Sequence, residues 1–141
     1  MELNIVSIEE TIYSGAVQFL SVTGEEGSLG VYPGHTPLLS GIRPGQVYIV
    51  DEAEEKAIFY VSGGFVEIQP DVVTILADTV VRAEDLDEVA AQQARDQAKD
   101  LMSNKKPHEK DYREAYIQLQ EASAQIRALK DLQEYVRYNQ Y

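Results

Sequence analysis

Residues 26–39 read Glu26-Gly-Ser-Leu-Gly-Val-Tyr-Pro-Gly-His-Thr-Pro-Leu-Leu39. Three glycines and two prolines stand between apolar residues, so the backbone must turn sharply more than once within a short β region. The chain keeps that character outward in both directions, up to about Glu84. Val17-Gln18-Phe19, Val47-Tyr48-Ile49-Val50 and Ala57-Ile58-Phe59-Tyr60-Val61 alternate as half-buried strands do. Val72-Val73-Thr74-Ile75-Leu76 is richer in β-branched residues and reads as a strand buried on both faces. Turn signals recur at Gly24–Gly27, Pro33-Gly34, Arg43-Pro44-Gly45, Asp51–Glu55, Gly63-Gly64 and Pro70-Asp71. That spacing predicts an all-β sandwich of about eight to ten strands over residues 1–84.

From Asp85 the period changes. Asp85 with Glu88 reads as an N-cap and capping-box pair, opening a helix from Leu86 to Met102 with a stripe of Ala90, Ala94, Ala98 and Leu101. Ser103 to Lys110 is a polar break, with Pro107 unable to continue a helix. Asp111 with Glu114 repeats the start signal, and a second helix runs to about Tyr138. Tyr112, Leu119 and Ile126 fall seven apart, as do Ala115, Ala122, Leu129 and Val136. The two helices would be about 25 and 40 Å long. Their tight connection makes residues 85–141 an antiparallel hairpin. The fold class is therefore α+β, an N-terminal sandwich followed by a C-terminal two-helix hairpin. Each helix must bury its stripe to survive in water. The alanines of the first offer little, about 0.8 kcal/mol per buried methyl group. Two readings stay open: a hairpin lying permanently on the sandwich, or an arm with two docking partners.

Composition narrows the function classes. Cysteine is absent, which removes disulfides and thiol chemistry. Net charge is −12, and residues 1–84 hold 13 acidic against 3 basic side chains. So acidic a surface repels phosphate backbones, which argues against a nucleic-acid partner. No apolar run approaches the ~20 residues of a transmembrane helix, and the N-terminus lacks a signal peptide's basic start and apolar core. The expectation is a chain that reaches a membrane only through a partner.

Catalytic and ligand signals are sparse. His35 and His108 lie in different regions without metal-ligand spacing, so no metal is expected. Ser62 precedes Gly63-Gly64 without the pattern of a nucleophile elbow. No glycine loop ends in Gly-Lys-Ser/Thr to cradle a phosphate. Neither a catalytic residue nor a cofactor is predicted. Arg127, Lys130 and Arg137 populate the end of the second helix, serving its dipole and solvation or meeting an acidic partner. Tyr112, Tyr116, Tyr135, Tyr138 and Tyr141 add contact area suited to core or interface. A stand-alone acidic module whose helices form a dimer seam is the competing class.

The opening stretch, with Tyr60-Val-Ser-Gly-Gly-Phe-Val-Glu-Ile-Gln-Pro70 and Val73-Thr-Ile-Leu-Ala-Asp78, resembles the epsilon subunit of bacterial F-type ATP synthases. The resemblance spans nearly the whole chain and is strongest from about Tyr13 to Asp87. It implies a non-catalytic subunit of the central rotor stalk of the proton-translocating enzyme. The sandwich would sit against the gamma subunit and on the c-ring. The helices would fold back, or extend toward the alpha/beta catalytic head and inhibit ATP hydrolysis. The location implied is peripheral, on the cytoplasmic face of the bacterial inner membrane. Carried over by position, Glu26, Ser28, Tyr32 and His35 form the c-ring-facing turn. Ser28 stands where the family often has an acid, and Glu26 can substitute in part. Arg127, Lys130 and Arg137 are the basic contacts of the inhibitory arm. The family's nucleotide segment corresponds to Leu86-Asp87-Glu88-Val89-Ala90-Ala91. Ala90 replaces the expected arginine, so weak or absent nucleotide binding is expected despite Asp87. The tail Tyr135–Tyr141 departs from the usual ending.

Overall fold

Two strands of 14 residues each organise the β part, β2 (Thr11–Gly24) and β4 (Leu38–Asp51). Each is long enough to serve two sheets. The other strands are β1 (Glu2–Ser7), β3 (Gly27–Val31), β5 (Lys56–Val61), β6 (Gly64–Ile68), β7 (Val72–Ala77) and β8 (Val80–Arg82). The computed structural model describes the backbone of residues 1–139 and the side chains of 1–137. Tyr138, as a contact residue, and Tyr141 lie outside the described residues.

The first half of β2 pairs with β1, and β1 runs parallel to β7. β7 pairs with β6, and β6 with Leu38–Ile42 of β4. The second half of β4, from Gly45, pairs with β5 and with Val17–Val22 of β2. β3 and β8 complete that second layer on the outer sides of β2 and β5. A closed circuit of strands results, flattened into a sandwich whose corners are the two long strands. Arg43-Pro44-Gly45 is thus not a turn between strands: it lies inside β4, where the strand changes sheets. Pro44 has no N–H to offer, and it sits between the two ladders.

The interior follows the period of 2. Leu3, Ile5, Val17, Leu20, Val22, Val31, Val47, Ile49, Phe59, Val61, Val66, Ile68, Val73 and Ile75 are buried in one cluster. Among the described residues no polar or charged one is buried. β7 corrects the sequence reading. Val73 and Ile75 enter the core, whereas Val72 and Leu76 are exposed on the other face. A β-branched run marks a strand, but only sheet position decides whether its second face is covered.

Tyr13 makes an edge contact with Phe59, 5.9 Å between ring centres, and the Arg82 guanidinium stands 4.9 Å from the Phe59 centroid. Burial, then the carboxylates of Asp51 and Glu2, raise the Tyr13 phenol above its ordinary value, while Arg82 opposes them. The folded chain therefore holds this proton longer than the unfolded chain. Its contribution is complete below the unfolded value of about 10 and is lost as pH rises toward the folded value. Urea midpoints between pH 8 and 11 should fall less steeply in Tyr13→Phe than in the parent.

The second unit begins at Ala83. Ala83–Asp85 forms a single 3-10 turn, closed by Leu86 N–H on Ala83 O at 3.2 Å. α1 (Glu88–Ser103) and α2 (Lys110–Asn139) follow. The cap of α1 is Asp87, not Asp85, because Asp85 is taken up in the 3-10 turn. Asp87 is extended, and its Oδ1 accepts from Ala90 N at 3.0 Å. The buried stripe, set by packing against α2, also differs from the expected one. Ala91 and Ala98 are buried and Ala94 half-buried, whereas Ala90 and Leu101 face water. On α2 the expected Ala115, Ala122 and Leu129 are buried, joined by Ala128, while Val136 is exposed. Gln118 Nε2 donates to Ala94 O at 3.2 Å and Gln133 Nε2 to Glu88 Oε2 at 3.4 Å, which sets the helices antiparallel. Lys105–Asp111 and Lys110–Glu114 are exposed pairs and add little. Asp87→Ala should cost the hairpin about 0.5–2 kcal/mol, read as lost helical ellipticity on heating.

Candidate functional site

The sharp turns place one group of expected residues at an end of the sandwich. Glu25 and Glu26 form the turn from β2 to β3, and Gly24–Leu29 with Leu38–Gly41 line a shallow groove of about 490 Å³. Glu26 and Ser28 are both in it and exposed. Glu25 was not anticipated. Its N–H donates to Gly41 O at 3.1 Å, and its carboxylate lies across Gly41, where a side chain would collide with it. Tyr32 and His35 do not line this groove. Tyr32 leaves the end of β3 and lies against Phe19, 4.8 Å between ring centres. His35 closes a separate turn, its N–H on Tyr32 O at 3.3 Å and its Nδ1 2.6 Å from Thr36 O, so Nδ1 carries the proton. Gly34 N–H reaches Pro70 O at 2.9 Å and ties that turn to the link between β6 and β7.

The outer face of β1, β7, β6 and the start of β4 carries a second surface, which sequence reasoning missed. Phe65 and Leu76 are cross-strand partners, 58% and 52% exposed, and Val6 is the next partner of Leu76. Leu39, 69% exposed, stands opposite Glu67. Ile8, 82% exposed, lies just past the end of β1. Contiguous exposed apolar side chains of this size mark a surface made for another protein. The exposed acids Glu9, Glu10, Glu67 and Asp78 occur on the same strands and their turns. The alternation Phe65-Val66-Glu67-Ile68 contained the signal, since Phe65 shares a face with Glu67 rather than with Val66.

On α2 the expected Arg127, Lys130 and Arg137 are exposed. They continue a row of exposed residues spaced three and four apart, which starts at Arg113 and passes Tyr116, Gln120 and Ser123. Three of its four cations stand in the second half of the row, with Glu134 among them. At the start of α1, the Asp87 carboxylate is occupied by the N–H of Ala90, the residue standing where the nucleotide segment has arginine. Among the described residues no three His, Asp or Glu side chains are grouped to hold a metal ion. Among them, too, no helix is long and apolar enough to cross a membrane.

Residues 1–83 match the family described as ATP synthase, delta/epsilon chain, beta-sandwich domain, and residues 84–130 its long alpha-helix domain. The chain belongs to the ATP synthase delta/epsilon family. It is 46% identical over 132 residues to an ATP synthase epsilon chain of Alkalilimnicola ehrlichii, covering 94% of both chains. A Chromohalobacter salexigens protein of the same description is also 46% identical, over 133 residues, with 94% of both covered. Among solved structures, one chain of the Euglena gracilis mitochondrial ATP synthase, OSCP/F1/c-ring, superposes with a TM-score of 0.80 at 24% identity. That match covers 90% of this chain and 79% of the other. A chain of the Tetrahymena thermophila mitochondrial ATP synthase central stalk and c-ring gives 0.51 at 18%, covering 71% and 89%. Those two likenesses concern the fold.

Proposed function

We propose that this chain is the epsilon-type rotor subunit of a bacterial proton-translocating ATP synthase, working at the cytoplasmic face of the inner membrane as a peripheral, non-catalytic part of F1. The observation that carries the reading is the row of half-buried Val6 with exposed Leu76 and Phe65, together with exposed Leu39, on one face of a member of this family. A rotor subunit must grip its neighbours firmly enough to transmit torque. Apolar contact supplies about 25 cal/mol per Å² removed from water, and it needs no ion pairs that salt would weaken. The gamma subunit is the partner assigned to that face. The groove of Glu25, Glu26 and Ser28 at the sandwich end faces the polar loops of the c-ring.

The hairpin is the regulatory part. Its seam consists mainly of alanines, so the two helices hold each other weakly and can exchange neighbours. The row ending in Arg127, Lys130 and Arg137 then meets an acidic surface of the alpha/beta head and blocks hydrolysis. Moving such an arm from 1:99 to 99:1 takes a differential of about 5.5 kcal/mol. Nucleotide binding is weak or absent in this switch, because Ala90 brings no cation and Asp87 Oδ1 caps α1.

The test is capture from membranes with a tagged chain. Alpha, beta and gamma subunits should accompany the parent. Phe65→Glu with Leu76→Glu should lose gamma by at least about tenfold, since two carboxylates would be buried unpaired. Both positions are exposed, so the melting temperature of the isolated chain should stay close to the parent's. Capture of no ATP synthase subunit by the parent contradicts the assignment.

A further inference from the structure

The opposite layer bears an aromatic groove that, Tyr32 apart, the rotor reading does not use. Phe19 of β2 lies on the outer face beside Val50, its cross-strand partner on β4. Its ring contacts Tyr32 at 4.8 Å and Tyr48 at 6.3 Å between centres. Tyr32, although tilted against Phe19 at 43°, is still 65% exposed. With Glu54 and Lys56 these side chains border a groove of about 580 Å³.

The charges beside it favour a cation. Asp51, Glu52, Glu54 and Glu55 make up the adjoining turn, and Lys56, the cation of the lining, already has an interaction of its own. The turn is rigid. Asp51 Oδ1 accepts from Ala53 N at 2.8 Å and Glu55 N at 2.9 Å, and Gln18 Nε2 donates to Asp51 O at 2.9 Å. Glu54 adopts φ 64 at the tip of this turn, and its side chain is exposed beside the groove. Aromatic rings, tilted against one another, beside the carboxylates of an acidic turn match a planar guanidinium, which lies on a ring face and turns its N–H groups to the acid. We infer that the Phe19–Tyr32–Tyr48 groove receives an arginine-bearing segment of a partner protein.

The test uses the full chain and the aromatic ring signals of Phe19, Tyr32 and Tyr48 in NMR spectra. The probe is a capped pentapeptide carrying two arginines, set against the same peptide with citrulline, which keeps the shape and loses the charge. Saturable shifts are expected with the arginine peptide, at an affinity about three- to fivefold above that for citrulline. Glu54→Gln should bring the two peptides together, and Tyr48→Ser should weaken both. Glu54 is in an exposed turn, so its variant folds even where Tyr48→Ser does not. Absence of saturable shifts, equal affinity for the two peptides, or an unchanged preference in Glu54→Gln would overturn the inference. Its failure is separable from that of the rotor reading, because no ATP synthase subunit enters the measurement.

Discussion

Removing residues 85–141 is expected to raise ATP hydrolysis by the assembled enzyme several-fold while assembly and ATP synthesis stay near the parent level. The buried cluster of the sandwich is made of residues between Leu3 and Val80. A cut after Glu84 also keeps β8 and the Arg82–Phe59 contact. The apolar face assigned to gamma and the groove assigned to the c-ring lie wholly within the part retained. The arm is all that is lost. The size of the effect follows from its occupancy: if four in five molecules are held blocked, release gives about a fivefold rise, and that bias is only about 0.8 kcal/mol. Arg127→Ala with Lys130→Ala and Arg137→Ala should give part of the same release if the cations carry the arm's contact. Hydrolysis unchanged by truncation contradicts the regulatory reading and leaves the rotor assignment standing.

The second large effect concerns stability. Gly64→Ala should destabilise the sandwich by at least about 3 kcal/mol, combining backbone strain with a steric clash. Gly64 sits at φ +150, where side chains are rarely accommodated. An added Cβ would run into the backbone carbonyl of Leu76 on the neighbouring strand. That neighbour cannot yield cheaply. Gly64 pairs with both Ala77 and Ile42, so a shift there disturbs two ladders of the sandwich at once. For a domain of this size the change corresponds to a fall in melting temperature of more than about 10 °C. Gly63, at φ +115 but with Ile42 O at 3.2 Å from its would-be Cβ, should suffer less from the same substitution. Equal and small effects at both positions, by calorimetry, would contradict the packing described.

What could be read from the residues alone was local. The change of period near Asp85, the turn residues, and the Ala115–Ala122–Leu129 series depend on neighbours a few positions away, and the structure has them where expected. Glu26 and Ser28 share one groove, but the family resemblance rather than the local pattern singled them out. The misreadings arise where a distant strand or an adjacent turn decides. Val72 and Leu76 resemble core because they are apolar, but β7 has one face outside the sandwich. Arg43-Pro44-Gly45 has turn chemistry and serves instead as a bend within β4. Asp85 and Asp87 are both able caps, and the 3-10 turn chooses between them. The surface of Leu39, Phe65 and Leu76 comes from three strands, so only the register brings it together.

Amide exchange resolved along the chain, alone and within the assembled enzyme, tests the central claim most directly. The account rests on a firmly packed head and a hairpin loosely joined at an alanine seam. In the isolated chain, amides of Glu88–Ser103 and Lys110–Asn139 should therefore open at far lower free energy than those of β1, β2 and β7. In the enzyme, a subset on α2 should change its protection as hydrolysis is blocked or released. Hairpin amides as slow as the slowest strands, and equally so in both settings, would contradict it.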